Sequence, residues 1–129
     1  MKENIPKIIK DVGFDFEWDE KKVWALDIPV TEMDIKDLEW HFDFPFHWHG
    51  GEVYNLKSRE IIENPSKYPE EYKRTMDADM KYPIDIMENK GRWLILDGLH
   101  RLMKAYILEM EKVNVRIIPR EKIPDILKD

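Results

Sequence analysis

The stretch Arg92–Pro119 constrains the fold of this chain more than any other part of its sequence. Trp93–Leu96 is a short continuous apolar run, which is typical of a strand covered on both faces. Asp97 and Gly98 end that run, and an Asp-Gly pair readily turns the chain. The first part of the stretch therefore predicts a buried strand followed by a sharp turn.

After the turn, the apolar residues change their spacing. They recur every three or four positions from Leu99 to Met110, which predicts a helix with one apolar face. Val113–Ile117 then alternates apolar and polar residues, as a half-buried strand does. A strand at Ile84–Met87 and a tight hairpin turn at Glu88–Gly91 are predicted before this stretch. The order of elements predicts a compact α+β domain, in which helices surround a small mixed β-sheet.

The turn between the strand and the helix carries the residues that can do chemistry. A helix N-terminus presents unpaired N–H groups and the positive end of a dipole, so it attracts anions. Gly98 allows close backbone approach there, while His100 and Arg101 place side-chain donors in the first helical turn. Asp97 adds a carboxylate that can hold a metal ion, orient a histidine or take a proton. In the simpler interpretation, Asp97 caps the helix, Gly98 only turns the chain and Arg101 is a solvated charge.

The sequence of residues 97–101, Asp-Gly-Leu-His-Arg, resembles the acidic-Gly-x-His-Arg turn of the ParB/sulfiredoxin superfamily. The resemblance extends over about Tyr82–Pro119 (82–119), where Ala105 matches a helical alanine of that family. Ile28–Val30 is similar to the family's opening strand. The resemblance implies a single ParB/sulfiredoxin-like domain over residues 1–129, with its core at the motif.

The resemblance also implies that the turn binds the phosphate of a nucleotide such as ATP, ADP or CTP, with Mg²⁺ as the accompanying ion. The phosphate-binding residues would be Gly98, Leu99, His100 and Arg101. The turn is most similar to the free-serine-kinase branch, which implies a small-molecule phosphotransferase or a nucleotide hydrolase with an unidentified acceptor. The catalytic residues would then be Asp97, His100 and Glu32, the last of which follows the opening strand.

Two other functions stay open for a chain with this turn. One is a ParB-like nuclease or a DNA-partition-related protein, and the other is a non-catalytic ligand-binding or protein-binding module. Sulfiredoxin activity is excluded because the chain has no cysteine. The net charge is −6, and residues 31–80 carry 6 Lys/Arg against 12 Asp/Glu. Nucleic-acid binding is therefore predicted to be weak or absent, because it depends on a basic surface.

The sequence also predicts where the protein works. No apolar run approaches the ~18 residues of a membrane span, and the N-terminus lacks the features of a secretion signal. The absence of cysteine is compatible with a reducing compartment. We therefore expect a cytoplasmic protein without membrane association, while the sequence does not indicate an oligomeric state.

The segment His41–Gly51 holds three of the four histidines, together with three phenylalanines and a tryptophan. It is compatible with an aromatic loop that covers an open edge of the core. Alternatively, Trp48, His47 and His49 could form the wall of a ligand pocket and stack on a base or ring. His41, His47 and His49 could also bind zinc, copper or nickel. No histidine spacing typical of a zinc site appears, so we assign no metal ligand from the sequence.

Other elements are predicted from local patterns alone. Val23–Val30 is predicted as a strand, and Thr31 as the cap of a helix from Glu32 to about Trp40. A short helix is predicted at Arg59–Glu63, and Pro69 is predicted to begin the next helix.

Overall fold

The computed structural model describes residues 5–129, and the first four residues of the predicted 1–129 domain lie outside this range. The strands are β1 Val30–Asp34, β2 His47–His49, β3 Glu52–Leu56, β4 Ile84–Asn89, β5 Arg92–Asp97 and β6 Lys112–Ile117. The helices are α1 Lys7–Val12, α2 Glu20–Trp24, α3 Ser58–Glu63, α4 Pro69–Met76, α5 Leu99–Ile107 and α6 Ile123–Ile126. Short 3₁₀ turns lie at Ile35–Asp37, Glu39–Asp43 and Arg120–Lys122.

The main sheet has four strands in the order β1-β6-β4-β5. β4 and β6 run parallel, while β1 pairs with β6 and β4 pairs with β5 in antiparallel fashion. The β4–β5 hairpin turns at Lys90 and Gly91, whose φ angles of 52° and 82° suit a tight two-residue turn. β2 and β3 form a separate antiparallel pair. The predicted α+β class with a small mixed sheet is confirmed.

Apolar side chains cover both faces of the main sheet. The larger cluster packs α5 and the segments before β4 against one face, with Ile84, Ile86 and Val115 from the strands. The smaller cluster packs α2 and α6 against Met87 and Leu96. None of the helices within residues 5–129 is long and apolar enough to cross a membrane.

The predicted strand, turn, helix and strand around residues 92–117 are confirmed, but two other predictions are wrong. Of the predicted strand Val23–Val30 only Val30 lies in a strand, β1. Its first residues belong to α2, which Asp19 caps by accepting from the Lys21 N–H at 2.9 Å. Glu32–Trp40 is not a helix, because its first residues lie in β1. There Glu32 pairs with a residue of β6, and this tertiary pairing outweighs the local capping pattern.

The segment around His41 covers the free edge of the sheet, as one of the three interpretations of this stretch predicted. β5 is an edge strand, and His41 Nε2 accepts from the N–H of Ile95 at 3.1 Å. The other ring nitrogen, Nδ1, donates to the carbonyl of Leu38 at 2.7 Å. Trp18 Nε1 donates to the carbonyl of Leu96 at 3.1 Å on the same strand. These side chains form hydrogen bonds with backbone groups of β5 that would have no partner at an exposed edge.

His41 gives the fold an expected dependence on pH. Burial lowers the pKa of this imidazole from 6.5 to about 4. Between these values the unfolded chain takes up a proton that the folded protein does not. Titration of His41 therefore has no effect on the free energy of unfolding well above pH 6.5. The free energy of unfolding decreases as the pH falls below this value, by about 3 kcal/mol at pH 4. Denaturant unfolding at several pH values measures this change in the free energy of unfolding.

The control for this prediction is His41→Gln. Its amide can still accept from Ile95 and donate to Leu38, but it does not titrate. The difference in unfolding free energy between wild type and variant should shrink steadily below pH 6.5. A difference that stays constant from pH 7 to pH 4 would contradict the assignment.

Candidate functional site

An open groove with a volume of about 1030 Å³ runs beside the turn between β5 and α5. All of residues 97–101 line it, together with the last part of β5 before them. The segment Phe14–Trp18 completes its walls, together with Arg74 in the last turn of α4 and Asp79 in the segment that follows α4. The structure therefore places the predicted phosphate-binding turn on the wall of a cavity large enough for a small molecule.

Gly98 is required by the backbone of the turn. Its φ of 116° and ψ of 20° lie in a region that residues with a side chain rarely adopt. A Cβ at this position would lie 3.2 Å from an Arg101 nitrogen and from two carbons of Ile84. The space that the missing Cβ leaves beside Gly98 is thus occupied by the side chains of Arg101 and Ile84.

Arg101 holds the turn together. One terminal nitrogen donates to the carbonyl of Pro83, and the other donates to Asp97 Oδ2 at 3.0 Å. The Arg101 side chain is 17% exposed and that of Asp97 is 15% exposed. A guanidinium has five N–H donors, so Arg101 keeps further donors at the groove. The N–H of Leu102 bonds to the carbonyl of Gly98, and helix geometry leaves the earlier N–H groups of α5 without partners in the helix.

Asp97 belongs to a pair of carboxyl groups with opposite pKa shifts. Trp24 Nε1 donates to Asp97 Oδ2 at 2.8 Å, and the Glu20 carboxyl lies within hydrogen-bond reach. Burial alone would raise the pKa of Asp97, but its bonds with Trp24 and Glu20 and the charge of Arg101 hold it below its ordinary value. Partial burial raises the pKa of Glu20, and the hydrogen bond with Asp97 and its charge add to the rise. Such divergent pKa values are typical of acid–base sites.

The ring of His100 lies against that of His47. The two rings are 5.4 Å apart between centroids, and Glu71 of α4 completes a close group of three. Burial lowers the pKa of His100 and lowers that of His47 to about 4, and the charge of Arg74 acts in the same direction on both. Burial therefore favours the neutral form of both imidazoles.

Arg74 is an exposed cation in the lining of the groove. Its side chain is 69% exposed, and its guanidinium lies 3.8 Å from Glu71 Oε1, which is beyond hydrogen-bond distance. Arg74 lines the groove together with the turn. It can therefore meet an anion at the N-terminus of α5, a role that the sequence predicted for the side chains of His100 and Arg101.

The residues predicted as a pocket wall are dispersed. His41 and Phe46 are the residues of this segment that line the groove. Trp48 is exposed, and its ring packs edge-on against Tyr54, which itself lines the groove. His49 is exposed next to Trp48, whereas His47 is buried beside His100.

Glu32 is not brought to the turn. It is an exposed residue of β1, the edge of the sheet opposite β5. Three strand spacings, about 14 Å, separate these edges. The carboxyl group that does meet Asp97 is Glu20. The sequence analysis missed Glu20, Glu71 and Arg74, because each is distant in sequence from the turn and no local pattern marks it.

Comparisons of the chain with protein-family models, with curated proteins and with solved structures find no match.

Proposed function

We propose that the groove binds a phosphate-bearing small molecule, with a nucleotide such as ATP, ADP or CTP as the first candidate. The observation that carries this proposal is the position of residues 97–101 along the groove at the N-terminus of α5. Backbone N–H groups at a helix N-terminus and an exposed arginine are the usual donors to phosphate. Arg74 supplies the exposed positive charge, and Arg101 stabilises the turn through its hydrogen bond to Asp97.

We propose phosphoryl transfer to a hydroxyl group or water as the reaction. The attacking oxygen forms a bond to the terminal phosphorus and gives its proton to Asp97, while the bond from phosphorus to the nucleoside diphosphate oxygen breaks. The lowered pKa keeps Asp97 ionised and able to accept that proton. Arg74 and the α5 N–H groups neutralise charge that develops on the phosphate. Asp97 and Asp79 are groove carboxylates that would hold a Mg²⁺ ion, which prefers oxygen ligands and would neutralise charge on the phosphate.

The proposed relationship to the ParB/sulfiredoxin superfamily, and to its kinase branch, depends on the motif at 97–101. The order β5, turn, α5 and β6 is compatible with it. A cytoplasmic location is part of the same proposal.

A second candidate function is a non-catalytic binding module. It is favoured by the engagement of Arg101, whose guanidinium already bonds to Asp97 and Pro83. A module of this kind would bind a nucleotide or another anion in the groove without turning it over.

The binding proposal predicts a specific effect of Arg74→Ala. Titration calorimetry of the whole chain with ATP, ADP and CTP should show binding, and Arg74→Ala should weaken it by about tenfold or more. The matched control is Lys73→Ala, which removes a positive charge from a 78% exposed side chain of the same helix outside the groove lining.

The control should bind as the wild type does. Equal losses of nucleotide affinity in both variants would mean that binding depends only on the overall positive charge of α4. Absence of binding by all three nucleotides would contradict the nucleotide proposal.

A further inference from the structure

Three side chains from separate elements converge behind the turn. His47 begins β2, Glu71 lies in the first half of α4, and His100 is the second residue of α5. One potential ligand atom from each lies within 4.8 Å of the other two. His47 is buried, and Glu71 and His100 are partly buried. Their convergence is a product of the tertiary fold, because at least 24 residues separate each from the next along the chain.

The group contains two buried polar atoms that have no hydrogen-bond partner within residues 5–129. They are Glu71 Oε1 and His100 Nε2. Buried polar atoms are nearly always paired, so two adjacent exceptions require an explanation. The guanidinium of Arg74, at 3.8 Å from Glu71 Oε1, is too distant to be a hydrogen-bond donor. A cation between the two side chains would satisfy both atoms.

The third side chain is held in the manner of a metal ligand. His47 Nε2 and the buried Ser58 Oγ lie 2.7 Å apart. Metal-bound histidines commonly direct one ring nitrogen to an oxygen atom, which fixes the tautomer and orients the ring. With Nε2–H donating to Ser58, the other ring nitrogen carries the lone pair that a metal ion needs.

We propose that His47, Glu71 and His100 bind a divalent transition-metal ion and that their ligand set suits Zn²⁺. Two imidazoles and one carboxylate form a set that zinc uses in catalytic sites, where a fourth position stays open. Around a tetrahedral zinc ion the ligand atoms lie about 3.4 Å apart, which follows from Zn–N distances of about 2.05 Å. The three ligand atoms lie within 4.8 Å of one another, so zinc binding would draw them closer together.

The proposed metal site adjoins the groove through one of its ligands. His100 lines the groove beside Arg74. The metal proposal does not depend on nucleotide binding, since the three ligands are all groups of the protein.

The test uses the whole chain, freed of metal by a chelator and titrated with Co²⁺ and Zn²⁺ in the absence of any nucleotide. We expect one ion per chain, visible absorption bands of a Co²⁺ site with nitrogen and oxygen ligands, and a rise of several degrees in Tm with excess Zn²⁺. Glu71→Gln and His100→Ala should each weaken Zn²⁺ binding by more than about 100-fold. Ser58→Ala should weaken it by about 10–100-fold through the orientation of His47.

His49→Ala is the matched control, since His49 is an exposed histidine of the same strand outside the group. It should bind Zn²⁺ as the wild type does. Glu71→Gln changes a charge with little change of shape, so it keeps the test valid if a histidine variant does not fold. Absence of Co²⁺ absorption and of a Tm shift in the wild type would overturn the proposal. It would also be overturned if folded Glu71→Gln bound Zn²⁺ as tightly as the wild type.

Discussion

Arg116→Met is expected to lower the free energy of unfolding by about 3–5 kcal/mol, because it leaves a buried carboxylate without its partner. Arg116 Nε donates to Asp85 Oδ1 at 2.6 Å between the parallel strands β6 and β4, and the two side chains are only 10% and 4% exposed. The two terminal nitrogens of Arg116 donate to the carbonyls of Leu26 and Val23, at 2.8 Å and 2.9 Å. The same guanidinium thus fixes the end of α2, the helix that presents Glu20 to the turn.

Urea unfolding followed by circular dichroism measures this effect. Arg120→Met is the matched control, because Arg120 is exposed and donates to the carbonyl of Glu88 at 2.8 Å. Arg120→Met should lower the free energy of unfolding by about 1 kcal/mol or less. The double variant Arg116→Met with Asp85→Leu should recover part of the loss, since neither charge is then buried alone. A loss below about 1 kcal/mol for Arg116→Met would show that the pair does not anchor α2.

Asp97→Asn is expected to lower nucleotide turnover by about 10²–10⁴-fold, the range for removal of a general base. The amide oxygen can still accept from Trp24 and Arg101, so the turn should keep its shape. The amide cannot take up the proton of an attacking hydroxyl group. A coupled assay with ATP, Mg²⁺ and a panel of hydroxyl acceptors, serine included, measures the rate.

Asp15→Asn provides the control for this assay. Asp15 lines the same groove, but it pairs with Lys90 at 3.3 Å and lies outside the carboxyl pair. Its variant should turn over nucleotide at the wild-type rate. Unchanged turnover in folded Asp97→Asn would remove Asp97 from the mechanism. If the wild type binds a nucleotide but turns none over, the non-catalytic module becomes the better account.

The local part of the site could be predicted from the sequence. A buried run, an Asp-Gly pair and a helical apolar face are contiguous, so β5, Gly98 and α5 follow from short-range patterns. The loop around His41 was also compatible with an edge cover, and the structure places it there. The alternating pattern of β6 suggested that Arg116 faces solvent, whereas it is buried because Asp85 and two carbonyls satisfy its donors.

The contacts in the site between residues that are distant in sequence could not be predicted. Glu20 is 77 residues from Asp97, and Glu71 is 29 residues from His100, so no spacing rule connects either pair. Three histidines in one segment left open a metal site within that segment, although no metal ligand was assigned from the sequence. The structure separates them, so that His47 meets His100 while His41 binds the edge of β5. The error at Glu32 has the same origin, because pairing of β1 with β6 decided the backbone of that segment.

A crystal structure of the chain soaked with ATP, ADP or CTP and Mg²⁺ tests the central claim most directly. The account predicts a nucleotide in the groove with phosphate oxygens about 2.7–3.2 Å from N–H groups at the start of α5, and with Arg74 turned toward them. A nucleotide bound elsewhere, or an empty groove at millimolar nucleotide, would contradict it.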